Sequence, residues 1–208
     1  MNKEKILEAL GKLRKENKER KFKQTVDLII NLKSFDIKKN SVNLFLNLPH
    51  KIKNVKVAGF LEAKSELIDS ILKQDFGKYK DKKKIKNLVR KYDFFIANAN
   101  LMPLIATNFG RYLGSAGKMP NPQLGILKKE SREEIEAILR KIEKMARVKS
   151  KEPSLKFNIG KEDMKDEEIA DNVLTAYNNI LNSLPKKNEN IKSVMIKFTM
   201  NKPIKLEI

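Results

Sequence analysis

The chain has no cysteine, which excludes disulfides, thiolate catalysis and thiolate metal sites together and fits a reducing compartment. Histidine occurs once, at His50, so no histidine pair is available to hold a metal or to share acid–base work. No metal site and no cofactor is expected, and enzyme chemistry would have to rest on carboxylates, Lys or Tyr alone. Long apolar runs are missing as well. The longest uncharged stretch, residues 94–110, contains Asn98, Asn100, Pro103 and Asn108, which is not the composition of a membrane span. The first twenty residues lack the apolar core of a secretory signal. A soluble, cytoplasmic protein with no membrane partner is expected.

Acidic residues are few: 26 Asp and Glu face 45 Lys and Arg, a formal charge of +19 over 208 residues. Self-repulsion of that size disfavours the compact state. A partner of opposite sign is the economical explanation, and phosphate is the commonest such partner. A lysine-rich surface that is merely solvated is the alternative, because Lys far outnumbers Arg. Forty per cent apolar residues suffice for folded cores, and the length allows one large domain or two small ones.

Ile6, Leu7, Leu10 and Leu13 follow helical spacing. After the basic run 18–23 the period switches. Val26, Leu28, Ile30 and Leu32 alternate along one predicted strand, and Val42, Leu44, Leu46 and Leu48 along a second. The middle has another texture. Residues 55–59 predict a short strand; Leu67, Ile68, Ile71 and Leu72 a helix; Ile85, Leu88 and Val89 a second helix. Residues 93–97 predict a strand and 101–113 another helix. The last helix opens on Ser131 and Glu134 at capping-box spacing and carries Ile135, Ile138, Leu139 and Ile142. Strands alternating with helices imply a small parallel-sheet, Rossmann-like α/β unit. Past a break at Pro153 come a strand at 155–159, a long amphipathic helix at 166–184, and two alternating strands. One holds Val194, Ile196, Phe198 and Met200, the other Ile204, Leu206 and Ile208, joined as a hairpin around Asn201 and Lys202.

The fold class is therefore α/β (α+β) with two domains. Residues 1–50 and 152–208 form a discontinuous split α+β sandwich domain, and 51–151 form an inserted α/β domain. Insertion works because domain termini lie close together, and two chain crossings at one place make a double hinge.

Catalytic motifs fail on detail. Gly110, Gly114 and Gly117 with Lys118 invite a phosphate-loop reading, but Gly114 and Gly117 are too close and Met119 lacks the hydroxyl. Pro120 and Pro122 then block the required helix, so an ordered, proline-capped loop is the better reading. Glu133, Glu134, Glu162 and Asp163 stand where helix starts favour acids. The run 78–91 holds eight cations and the single acid Asp81, which reads either as a solvated helix or as a phosphate-tracking face. Residues 51–151 carry +13 and the two ends together +6. Charge alone places the main polyanion contact in the middle.

Recognition of a folded RNA needs more than charge, because phosphate contacts position without discriminating. Hydroxyls, amides and one flat apolar residue beside a β surface suit that task. Lys21, Phe22, Lys23, Gln24 and Thr25 before the first strand, and Thr199, Met200, Asn201 and Lys202 in the last hairpin, have this composition. Phe22 and Met200 read equally as ordinary core.

Those segments resemble the L-one family of ribosomal proteins in its archaeal form, and the likeness covers nearly the whole chain. Phe22, Lys23, Gln24, Thr25, Val26, Asp27 and Leu28 look like the family's opening strand motif. Leu48, Pro49 and His50 resemble its hinge signature. Gly110 through Gly114, then Gly117, Lys118, Met119, Pro120, Asn121 and Pro122, are similar to its most recognisable stretch. Ile159, Gly160 and Lys161, then Ile169 to Asn172, then Ser193 to Met200 with Lys197 between, follow in order. The resemblance implies a protein of the large-subunit ribosomal RNA side stalk, near the path of tRNA leaving the exit site. It implies translational repression through the protein's own mRNA, and no enzymatic activity. It places the decisive RNA contacts in the discontinuous domain, at Phe22, Thr25, Lys161, Thr199 and Met200, against the charge count. Arg111 and Lys118 become secondary contacts, Pro49, His50 and Pro153 the hinge, and the free chain is expected to be a monomer. Asn201 stands where the family usually has Gly, and Ser115 and Ala116 where it often has Pro-Arg. An RNA-modifying or nucleotide-using α/β enzyme and a nonspecific polyanion binder are the rival functions.

Overall fold

The computed structural model describes residues 2–18, 20–36, 42–52, 55–79, 81–122, 124–150 and 152–207. Ile208, at the end of the last expected strand, Lys80 in the basic run and Lys151 at the expected boundary lie outside them. The chain opens with α1 (Lys3–Lys15), β1 (Thr25–Leu32) and β2 (Asn43–Asn47), continues through β3 (Val57–Leu61), β4 (Asp69–Leu72), α2 (Lys82–Lys91), β5 (Phe94–Asn98), α3 (Met102–Ala116), β6 (Ile126–Leu127) and α4 (Arg132–Glu143), and returns with β7 (Met145–Lys149), β8 (Ser154–Lys161), α5 (Asp166–Ser183), β9 (Ile191–Phe198) and β10 (Ile204–Leu206).

Two compact units result, Met1–Lys53 with Lys144–Ile208, and Asn54–Glu143. In the first, β1 is central in an antiparallel sheet of order β10-β9-β1-β8. Its strict alternation buries Val26, Leu28, Ile30 and Leu32 and leaves Thr25, Asp27, Ile29 and Asn31 on the other face, because successive side chains point to opposite sides of a pleated strand. The buried face packs with Ile6, Leu10 and Leu13 of α1 and Ile169, Val173, Ala176 and Ile180 of α5 into one core. Asn2 caps α1 by accepting the Glu4 N–H.

The inserted unit is a parallel sheet of order β4-β3-β5-β6. β3 is buried along its whole length, as expected for a parallel strand covered on both faces. Phe60, Phe76, Phe95 and Phe109 gather with Ile85, Leu88 and Ile105 of α2 and α3 on one side. Gly117 ends α3 in the left-handed conformation (φ 66°), and Lys118 N–H reaches back to the Leu113 carbonyl at 2.8 Å. The expected proline-capped loop is thus a helix terminus.

Two sequence expectations fail here. Leu67, Ile68, Ile71 and Leu72 do not form a helix; residues 69–72 are strand β4, parallel to β3. Two apolar pairs separated by Asp69 and Ser70 have helical spacing, and pairing with β3 decides for a strand. Residues 145–149, assigned to the inserted domain, are strand β7, antiparallel to β2 in the first unit. The return crossing therefore lies at 143/144 and not at 152.

Candidate RNA interface

The N-terminal end of β1 and the end of β9 build one surface. Thr199 N–H donates to the Thr25 carbonyl at 3.1 Å, and Thr25 N–H donates to Thr199 Oγ at 3.1 Å. The two hydroxyl oxygens are 2.8 Å apart. Backbone pairing and side chains together fix the threonines as a unit, flanked on β8 by Lys161, the registered partner of Thr25.

The segment before β1 has one backbone link, Glu162 N–H to the Gln24 carbonyl at 2.9 Å, and is otherwise held by side chains. Gln24, only 1% exposed, accepts the Met200 N–H on Oε1 at 3.0 Å and donates through Nε2 to Asn17 Oδ1 at 2.7 Å. Its N–H donates to Glu162 Oε2 at 3.0 Å, and Asn17 Nδ2 donates to the other Glu162 oxygen. Arg14 in turn donates to the Glu162 and Met164 carbonyls at 2.9 and 2.8 Å and to Asp166 at 2.7 Å. Lys23 pairs with Asp163 at 2.8 Å, which raises the Lys23 ammonium and lowers the Asp163 carboxyl. Glu162 and Asp163 thus buttress the strand entry instead of capping a helix.

Apolar side chains stand out of this frame. Phe22 is 52% exposed and Met200 56%, so the core reading of both is wrong; Leu104, on the inserted unit, is the other large hydrophobic exposed among the described residues. Lys21, Lys23, Thr199 and Lys202 are exposed around them. Asn201 N–H closes the turn onto the Phe198 carbonyl at 3.1 Å. The non-glycine residues with positive φ among those described are Ser34 and Lys187, so Asn201 replaces Gly without entering the left-handed region. Its Nδ2 is buried and has no partner among the described residues.

Other expected residues separate from this cluster. Lys197 shares the open face, registered opposite Asp27. Ser193 is registered with Asn31, six residues along β1 and so roughly 20 Å away at a strand's rise per residue. There it accepts from Asn31 Nδ2 at 3.0 Å, while Ser154 Oγ donates to Asn31 Oδ1 at 2.9 Å. On the inserted unit Arg111 is exposed, but Lys118 donates to the Val89 and Tyr92 carbonyls at 2.7 Å each. Its ammonium satisfies the C-terminal carbonyls of α2, a role the sequence reading missed. His50 exchanges hydrogen bonds with fully buried Asn172 of α5, N–H to Oδ1 at 3.0 Å and Nδ2 to the His50 carbonyl at 3.4 Å. Pro153 lies inside the first unit, its carbonyl accepting from Leu32 at 2.9 Å. The chain passes between units at 53/54 and 143/144, so Pro153 is not at a crossing and His50 is anchored before one.

The moved boundary also changes the charge balance. The first unit holds 27 basic and 15 acidic residues, +12, and the inserted unit 18 and 11, +7. The charge argument for the middle depended on counting residues 51–53 and 144–151 with it.

These features define a class: a basic, two-unit α+β protein that exposes hydroxyls and large apolar side chains at a sheet end. Among the described residues no group of three His, Cys, Asp or Glu could hold a metal, and no helix is long and apolar enough to cross a membrane. The chain matches the ribosomal protein L1p/L10e family over residues 13–202. It is 36% identical to the large ribosomal subunit protein uL1 of Thermococcus kodakarensis, with 99% of this chain and 98% of the relative covered. It is 35% identical to the uL1 of Pyrococcus abyssi, covering 99% and 97%, and 35% identical to that of Nanoarchaeum equitans, covering 92% and 95%. The chain belongs to the ribosomal protein L1p/L10e family, in its archaeal form; this is a family of ribosomal proteins, not of enzymes.

Proposed function

We propose that the chain is a large-subunit protein that binds the ribosomal RNA side stalk near the tRNA exit site, through the surface around Thr25 and Thr199. It works on the cytoplasmic ribosome, is a monomer off it, and meets tRNA leaving the exit site. A mimic of the stalk element in its own mRNA binds the same surface and represses translation. One observation carries the reading: Phe22 and Met200 are exposed within three residues of a preformed hydroxyl pair, with Lys161 registered opposite Thr25 and Lys21 and Lys202 exposed near them in sequence. Large apolar side chains left in water cost solubility, and such anchors next to fixed polar groups exclude water from the hydrogen bonds a partner makes. The less exposed residues of the surface, Gln24, Thr25 and Lys161, give it a rigid floor, so little ordering entropy is lost on binding. Lys21, Lys23, Lys197 and Lys202 supply the phosphate attraction, with Ser193 at the far end of the same face and Arg111 a secondary contact.

Affinity for the stalk RNA tests this. Thr199→Ala and Met200→Ala should each weaken binding by about 1–3 kcal/mol while unrelated RNA of equal length binds as before. Unchanged affinity in both variants would remove the site.

A further inference from the structure

Asp27 lies two residues along β1 from Thr25, on the same open face. Thr25 Oγ is 3.3 Å from Asp27 Oδ1 and 2.8 Å from Thr199 Oγ. Thr199 Oγ accepts the Thr25 N–H at 3.1 Å and lies 3.3 Å from the Thr25 carbonyl oxygen. Each hydroxyl has one proton and two lone pairs. An ionised carboxylate is the strongest acceptor in this cluster, so the Thr25 proton points to Asp27. The Thr199 proton then goes to Thr25 Oγ, the nearer of its two acceptors. Both protons are then used within the cluster, and one lone pair on each oxygen is left unused.

We propose that Asp27 is a specificity-determining residue, which makes the Thr25–Thr199 pair a hydrogen-bond acceptor for a ribose 2′-hydroxyl, so that this point of the surface distinguishes RNA from DNA and does not hold a phosphate. The proposal rests on reading this surface as the RNA interface. A phosphate is rejected twice here: it offers only acceptor oxygens to a pair with no free donor, and its charge meets the carboxylate. A 2′-hydroxyl donates, and DNA lacks it. The groups facing Asp27 are consistent with a retained negative charge. Lys197 is registered opposite on β9 and Asn158 on β8, and Lys156, registered opposite Ile29, lines the same shallow depression. Burial raises the Asp27 carboxyl above its ordinary value, while the Thr25 hydroxyl and the Lys197 ammonium favour its charged form.

The test uses stalk RNAs each carrying a single 2′-deoxy substitution, bound by the full chain and by Thr25→Val, Asp27→Ala and Asp27→Asn. One nucleotide should cost the unsubstituted protein roughly tenfold, the size of one hydrogen bond. Thr25→Val should abolish that penalty. Asp27→Ala should cut it below about threefold, because the Thr25 hydroxyl is then no longer held in one orientation and the acceptor pair is not preorganised for the 2′-hydroxyl, and Asp27→Asn should fall between, keeping an acceptor without the charge. A full penalty in Asp27→Ala, with an unchanged melting temperature, overturns the proposal. So does the absence of a position-specific penalty in the unsubstituted protein, or an effect that follows removal of a base amino group instead of the 2′-hydroxyl. Failure of the underlying interface reading is visible separately, as Thr199→Ala with unchanged affinity for unmodified stalk RNA.

Discussion

Gln24 ties Met200 to the body of the first unit: its Oε1 accepts the Met200 N–H at 3.0 Å while its own N–H meets Glu162. A buried amide thereby holds an exposed methionine in place from 176 residues away in sequence. Gln24→Ala leaves the Met200 N–H and Asn17 without their partner. Chemical denaturation should show a loss of about 1–3 kcal/mol, and stalk-RNA affinity should fall as well. A variant with unchanged stability and weaker binding would mean that Gln24 contacts RNA directly.

Phe22 should behave in the opposite way. It is half exposed, so Phe22→Ala should change the unfolding free energy by no more than about 0.5 kcal/mol. Its stalk-RNA affinity should drop by at least about fivefold, the loss of a small apolar anchor. Parallel losses in stability and binding would identify Phe22 as structural.

Asp27 gives a pH signature. Its folded-state carboxyl is raised above the ordinary value by burial, so its contribution to stability is present in acid and is lost as pH rises through the folded pKa. Asp27→Asn does not titrate there. Relative to the native protein the variant should therefore gain stability between about pH 3 and pH 6, the carboxylate window. Melting temperatures of both proteins across that range check it; a constant or opposite difference would contradict the cause given.

Lys118 and Arg111 should separate. Lys118 is committed to the carbonyls of Val89 and Tyr92, so Lys118→Met should destabilise the inserted unit by about 1 kcal/mol and leave the salt dependence of RNA binding unchanged. Arg111→Ala should do the reverse and lower the slope of log K against log salt by about one contact.

Alternation and helical spacing made α1, β1, β2, α5, β9 and β10 readable in the sequence, because each buries one face against a single core. β4 was not readable, since Ile71 and Leu72 fit a helix as well as a strand until β3 pairs with them. β7 was hidden by its position directly after α4, and only its pairing with β2 assigns it to the first unit. At the surface, residue types pointed to Phe22, Thr25, Thr199 and Met200, and the structure brings the two threonines together. Gln24 was named without its role. Asn17 and Arg14 were missed, and Glu162 was read only as a helix-start acid, because contacts spanning some 140 residues leave no local pattern. The phase of β1 places Asp27 beside Thr25, which was legible, but the direction of the Thr25 proton needs the distances to Asp27 and Thr199.

Crosslinking the protein to RNA in cells, followed by sequencing of the attached fragments, tests the central claim most directly. Fragments from the side stalk of large-subunit ribosomal RNA should dominate, with the protein's own mRNA next, and the crosslinked peptides should contain residues 21–25 and 199–202. Fragments distributed over unrelated RNAs by abundance, or crosslinks confined to the lysines of α2, would contradict it.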